Sequence, residues 1–163
     1  MYRIINSLAT AEFNKEINAV EVNFNGQGNP SLYHDTMDIA MNIAIVYDTN
    51  RWLFTKDLFL DIDVDNFLLF VRKWSKQCSE SFGPSTHETP CRVALLTTPD
   101  SYRHLAEKYD WLEETRTKFS NLHLEFFFDR AEAYRYMGEP VDEKMLSAWA
   151  TFRSSIRYIY CPI

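Results

Sequence analysis

LHLEFFFDRAEAYRYM, residues 122–137, changes its period in the middle, and that change decides the class of fold. Leu122, Leu124, Phe126 and Phe128 alternate, the spacing of a strand with one buried face. From Asp129 onward Ala133, Tyr134 and Met137 recur at helical intervals, with the aspartate placed to cap the first turn. A strand that runs directly into a helix is half of a crossover unit, and the same order recurs upstream. In RVALLTTPDSY, residues 92–102, Val93–Leu96 reads as a buried strand, and Thr98-Pro99-Asp100-Ser101 opens a helix carrying Leu105, Tyr109 and Leu112. Earlier still, Trp52-Leu53-Phe54 follows the turn-like Asp48-Thr49-Asn50. Asp63 then caps a helix whose Phe67, Val71, Trp74 and Cys78 share one side.

The first part of the chain completes the pattern. Thr10–Phe13, the polar stretch 14–18, and Val20, Val22 and Phe24 read as an antiparallel hairpin. Asn29 and Pro30 supply an N-cap and a first helical residue. Beyond them Leu32, Thr36, Ile39, Ile43 and Tyr33, Met37, Ala40, Ala44 form two adjacent stripes. The predicted order is β-β-α-β-α-β-α-β-α, an α/β fold with a mostly parallel central sheet, helices packed on it, and the hairpin as an antiparallel edge. Residues 79–90 (SESFGPSTHETP) are the one strongly loop-like tract. Gly138-Glu139-Pro140 marks a boundary between a domain at 1–138 and a helical extension at 139–163.

Composition fits this reading. The chain has 163 residues, 46% apolar and 25% charged, which suits one domain large enough to bury a core without disulfides. Seventeen basic against 23 acidic residues give a net charge of -6, so nucleic acid is not an expected partner. Three widely spaced cysteines read as reduced thiols, there is no secretory leader pattern, and no apolar run could span a bilayer, so the expected location is cytoplasmic with no integral membrane segment. The 25 aromatic rings (12 Phe, 9 Tyr, 4 Trp) fall mostly at periodic inward positions and describe a core.

Motifs that would carry chemistry are weak. Asp61, Asp63 and Asp65 imitate the start of a calcium loop, but its required glycine and glutamate positions hold Asn66 and Arg72. Gly26-Gln27-Gly28 lacks the third glycine of a dinucleotide fingerprint, since position 31 is Ser31. Cys78, His87 and Cys91 match no compact zinc spacing, and both cysteines suit core positions. His34, His104 and His123 are isolated, with carboxylates nearby in sequence. No enzyme activity, cofactor or metal is therefore expected.

The spacing of several blocks resembles the SpoIIAA-like, or STAS/SEC14-like, small bacterial proteins. The blocks are Asn18-Ala19 entering the second strand, the glycine in FNGQG, WLFTKDLFLDIDVDNFLLFVRKW, RVALL and FFFDRAEAYRYM, together spanning about residues 10–137. The resemblance implies a STAS fold and a regulatory, protein-binding role related to anti-sigma-factor antagonists. Phosphorylatable members carry a serine at the start of the helix after the third strand, whereas this chain has Asp61, Asp63 and Asp65 there, with Thr55 the nearest hydroxyl. A fixed negative charge in place of a phosphoswitch is the corresponding expectation.

In an open parallel sheet, ligands gather beyond the carboxyl ends of the strands. That rule selects Thr55, Lys56, Asp57, Asp61, Asp63, Thr97 and Ser101 as a face for an unknown protein partner or ligand. The alternative function is a carrier of a lipid-like or other apolar ligand in a SEC14-like pocket. In the extension, Met145, Trp149, Phe152 and Ile156 form one stripe, and Trp149, Phe152 and Ile156 are the candidates for self-association as a homodimer.

Overall fold

The computed structural model describes residues 3–6, 9–24, 30–55, 73–74, 76–78, 80–82, 91–106 and 122–138. Six strands form one sheet in sequence order: β1 (Arg3–Asn6), β2 (Ala9–Asn14), β3 (Ala19–Phe24), β4 (Arg51–Thr55), β5 (Cys91–Leu96) and β6 (Leu122–Phe127). The pairings β1–β2 and β2–β3 are antiparallel, and β3–β4, β4–β5 and β5–β6 are parallel. The expected α/β class with a mostly parallel sheet is thus observed, with β1 as an additional outer strand. The predicted hairpin lies one place in from the edge. Four residues with a register irregularity between Ile4 and Asn6 offer too little alternation to be read as a strand.

Three helices carry full assignments: α1 (Pro30–Val46), α2 (Pro99–Ala106) and α3 (Arg130–Gly138). Between β4 and β5, residues 73–74, 76–78 and 80–82 are also helical. That segment runs further than the predicted loop boundary at Ser79, because buried Phe82 extends the Trp74–Cys78 stripe by another turn.

The two faces of the sheet are covered differently. On one, Val20, Val22, Trp52, Phe54, Val93, Leu95 and Leu124 pack with Leu32, Tyr33, Met37 and Met41 of α1 and with Trp74, Cys78 and Phe82. Tyr102 of α2 meets Phe126 and Phe128 edge-on, with centroids 5.3 and 5.5 Å away. On the other face, Ala19, Leu53, Ala94 and Phe127 pack under Ala133, Tyr136 and Met137 of α3. Burial on both faces explains why Phe127, outside the Phe126/Phe128 alternation, is the most deeply buried of these phenylalanines.

Local chemistry fixes the ends. Asp48 sits in the left-handed region at φ 50°, Thr49 N donates to Ala44 O at 3.0 Å and Asp48 N to Ile45 O at 3.2 Å. This is a Schellman closure of α1 with aspartate where glycine is usual. Asp129 caps α3 through Glu132 N→Oδ1 at 3.0 Å, and Tyr102 N→Thr98 O at 2.9 Å makes Thr98 the cap of α2, directly before Pro99. No described helix is long and apolar enough to cross a membrane.

Candidate functional site

The sheet sets the ends of β4 and β5 level, because Thr55 pairs with Leu96. Thr55 and Thr97 are both buried there, but strand alternation sends them to opposite faces. Thr55 shares the α3 side with Leu53, whereas Thr97 follows Cys91, Val93 and Leu95 on the α1 side. Thr97 N donates to Phe127 O at 2.9 Å, while its buried Oγ1 has no hydrogen-bond partner among the described residues. Ser101 lies in the first turn of α2. Lys56, Asp57, Asp61 and Asp63 lie outside the described residues, as do Asp65, the 25–29 stretch and His87. The self-association candidates Trp149, Phe152 and Ile156 do as well.

Just past Thr97 the chain turns outward. Thr98, Pro99 and Asp100 are exposed, and Asp100 pairs with Arg103 at 3.4 Å across the first turn of α2. This end of the molecule is therefore a buried strand terminus followed by a short exposed, charged helix start. The strands follow one another in sequence order without reversal, so the described sheet has no topological switch point of the kind that opens a ligand crevice.

The α3-facing side holds a charged layer. Register places Arg51, Arg92 and His123 in one cross-strand row, and Glu21, Leu53, Ala94 and Glu125 in the next. Two adjacent arginines would repel, but both aim at the carboxyl end of α3, where the helix dipole is negative. Arg51 Nη1 donates to Met137 O at 2.6 Å, and Arg92 Nη1 donates to Tyr136 O at 2.6 Å.

At the other end of α3, buried Glu21 accepts hydrogen bonds from the Arg130 guanidinium, from Asn14 Nδ2 at 3.1 Å and from the Tyr134 hydroxyl at 3.4 Å. Asn14 Nδ2 also donates to Tyr134 Oη at 2.9 Å. Hydrogen bonds to Tyr134, and secondarily the Glu21 charge, push the Arg130 pKa up against the effect of partial desolvation. These groups tie α3 to the sheet. The Glu21 carboxylate is satisfied within the fold by three donors, which is a clamp's geometry.

Sequence reasoning missed this layer because alternating polar residues on a strand read as a solvent-facing side. Tyr134, expected among the inward residues of α3, was the one legible sign of it. Cys78 and Cys91 are both buried, as their core reading requires. His123 sits on the α3 side, and its carbonyl accepts from the Tyr136 hydroxyl at 3.2 Å. Among the described residues no three His, Cys, Asp or Glu side chains group in a way that could hold a metal ion.

Compared with protein-family models, curated proteins and solved structures, the chain matches none.

Proposed function

We propose that the chain is a non-enzymatic regulatory or protein-interaction module of the STAS, anti-sigma-antagonist-like kind, read by its partner at the end where β4 and β5 finish and α2 begins. The observation that supports this reading is the step from buried to exposed between Thr97 and Asp100. A closed strand terminus with a charged helix start suits recognition by surface contact. Thr55 is buried, so a phosphate there would place about two negative charges inside the sheet's cover, and recognition by fixed carboxylates fits better.

The test is site-specific photo-crosslinking in lysate of the source cells, with the crosslinker at position 100 or, as a control, at exposed position 35 on α1. One defined protein adduct is expected from position 100 and none from position 35, with loss of the adduct on charge reversal at Asp61 and Asp63. Equal labelling from both positions would sink the proposal. Lipid found by mass spectrometry in the freshly purified protein would replace it with the carrier reading.

A further inference from the structure

The outer row of α1 changes character at its end. Asp35, Asp38 and Asn42 keep it polar and exposed, as a solvated helix face should be, and then Ile45 and Val46 stand 53% and 77% exposed. They are the only large apolar side chains so exposed among the described residues. Beside them the half-buried rings of Tyr47 and Phe13 stack with centroids 4.0 Å apart, so the apolar surface continues from the helix onto β2. The charge of α1 is one-sided. The helix has no lysine or arginine, its carboxyl end is the negative pole of its dipole, and exposed Asp48 follows directly. Lys15 and Glu16 of the neighbouring β2–β3 turn offset each other.

We infer that this patch is the docking site of the chain's own C-terminal segment, residues 139–163, which lies outside the described residues. Met145, Trp149, Phe152 and Ile156 recur on one stripe, the apolar complement of Ile45, Val46 and the Phe13–Tyr47 pair. From residue 144 onward the charged side chains are Lys144, Arg153 and Arg157, all basic, against the acidic end of α1. The segment also starts within reach. α3 ends at Gly138, and Met137 O is held at 2.6 Å by Arg51, the first residue of β4. Arg51 is two residues beyond Thr49, whose N–H closes α1 on Ala44 O at 3.0 Å. The ends of α1 and α3 thus lie on opposite faces of the sheet at one edge. The stretch from Gly138 to Met145 spans roughly 23–25 Å when extended, enough to round that edge. This is the opposite end of the parallel strands from the start of α2, so the inference does not rest on the partner reading above.

The experiment places a photo-crosslinking benzoylphenylalanine at position 46 of the full chain, an exposed site whose side chain can be replaced without disturbing the core. After irradiation of dilute purified protein, trypsin releases position 46 within residues 16–51 and the stripe within residues 145–153 (MLSAWATFR) and 154–157 (SSIR). The expected product joins the first peptide to one of the other two, in protein that runs as a monomer on a denaturing gel. Trp149→Asp with Phe152→Asp should cut its yield by about tenfold, because docking would then bury unpaired carboxylates. Absence of a crosslink to residues 145–157, or a yield unchanged by the two aspartates, would overturn the inference. A crosslinked dimer would also overturn it, and would show that a second copy covers the patch.

Discussion

Arg92 donates from Nη1 to Tyr136 O at 2.6 Å, and its guanidinium carbon stands 5.2 Å from the centroid of the same tyrosine's ring. One buried side chain thus holds both the backbone and the side chain of the last turn of α3. The helix is short, nine residues, and a helix of that length depends on tertiary contacts for its stability.

Arg92→Met should therefore cost about 2–4 kcal/mol in urea unfolding, because it strips a charged donor from buried carbonyls. Arg92→Lys should recover only part of this, since a lysine offers a point charge without the planar fork. A Met variant within about 0.5 kcal/mol of the parent, the range of ordinary surface substitutions, would show that Arg51 alone suffices to hold α3.

The Glu21–Arg130 pair is asymmetric: the side chain of Glu21 is 3% exposed and that of Arg130 54%. Among the described residues, Arg130→Met leaves a buried carboxylate with only Asn14 and Tyr134 as donors, whereas the double variant with Glu21→Gln removes the charge problem altogether. The single change should cost about 1–2 kcal/mol, below the cost for a fully buried pair because Arg130 is half in solvent. The double variant should be more stable than Arg130→Met. Strict additivity in the four-protein cycle would refute the coupling.

How far the sequence revealed this arrangement depends on the range of the contacts involved. The stripes of α1, the cap at Asp129 and the strand run Trp52–Phe54 are local patterns, and each element appears where its pattern predicts. The clamp on α3 is not local: Glu21 and Arg130 are 109 residues apart, and Arg92 and Tyr136 are 44 apart. Alternating Glu21 and Asn23 give no sign that a helix arriving from the far end of the domain will cover them. Of the candidate face, the strand-end position of Thr55 and Thr97 was legible, and their projection to opposite sides required the register.

Among the described residues, two outside glycine have positive φ, Asn18 at 49° and Asp48 at 50°. Asn18 closes the β2–β3 turn and offers its carbonyl to Thr49 Oγ1 at 2.6 Å, so the turn is stitched to the end of α1. A Cβ is disfavoured in this region by about 1–2 kcal/mol, and asparagine and aspartate escape part of that. Asn18→Ala and Asp48→Ala should each lower stability by about 1 kcal/mol, whereas the glycine variants should match or exceed the parent. Alanine variants as stable as glycine ones would show that the turn changes conformation when substituted.

Thr97 supplies the remaining test, at the strand end next to the exposed start of α2. Its backbone N–H is bonded to Phe127 O, but its buried hydroxyl has no partner among the described residues. An unmet hydroxyl costs about 1–3 kcal/mol of desolvation, and valine has nearly the same shape without that penalty. Thr97→Val should therefore raise the urea midpoint or leave it unchanged, where most buried polar-to-apolar changes lower it. Thr97→Ala separates the two contributions, since it removes the hydroxyl together with a methyl's worth of packing and should fall below the valine variant by about 1 kcal/mol. If valine destabilises as much as alanine, the hydroxyl is bonded in solution and the strand end is ordered by a contact that involves it.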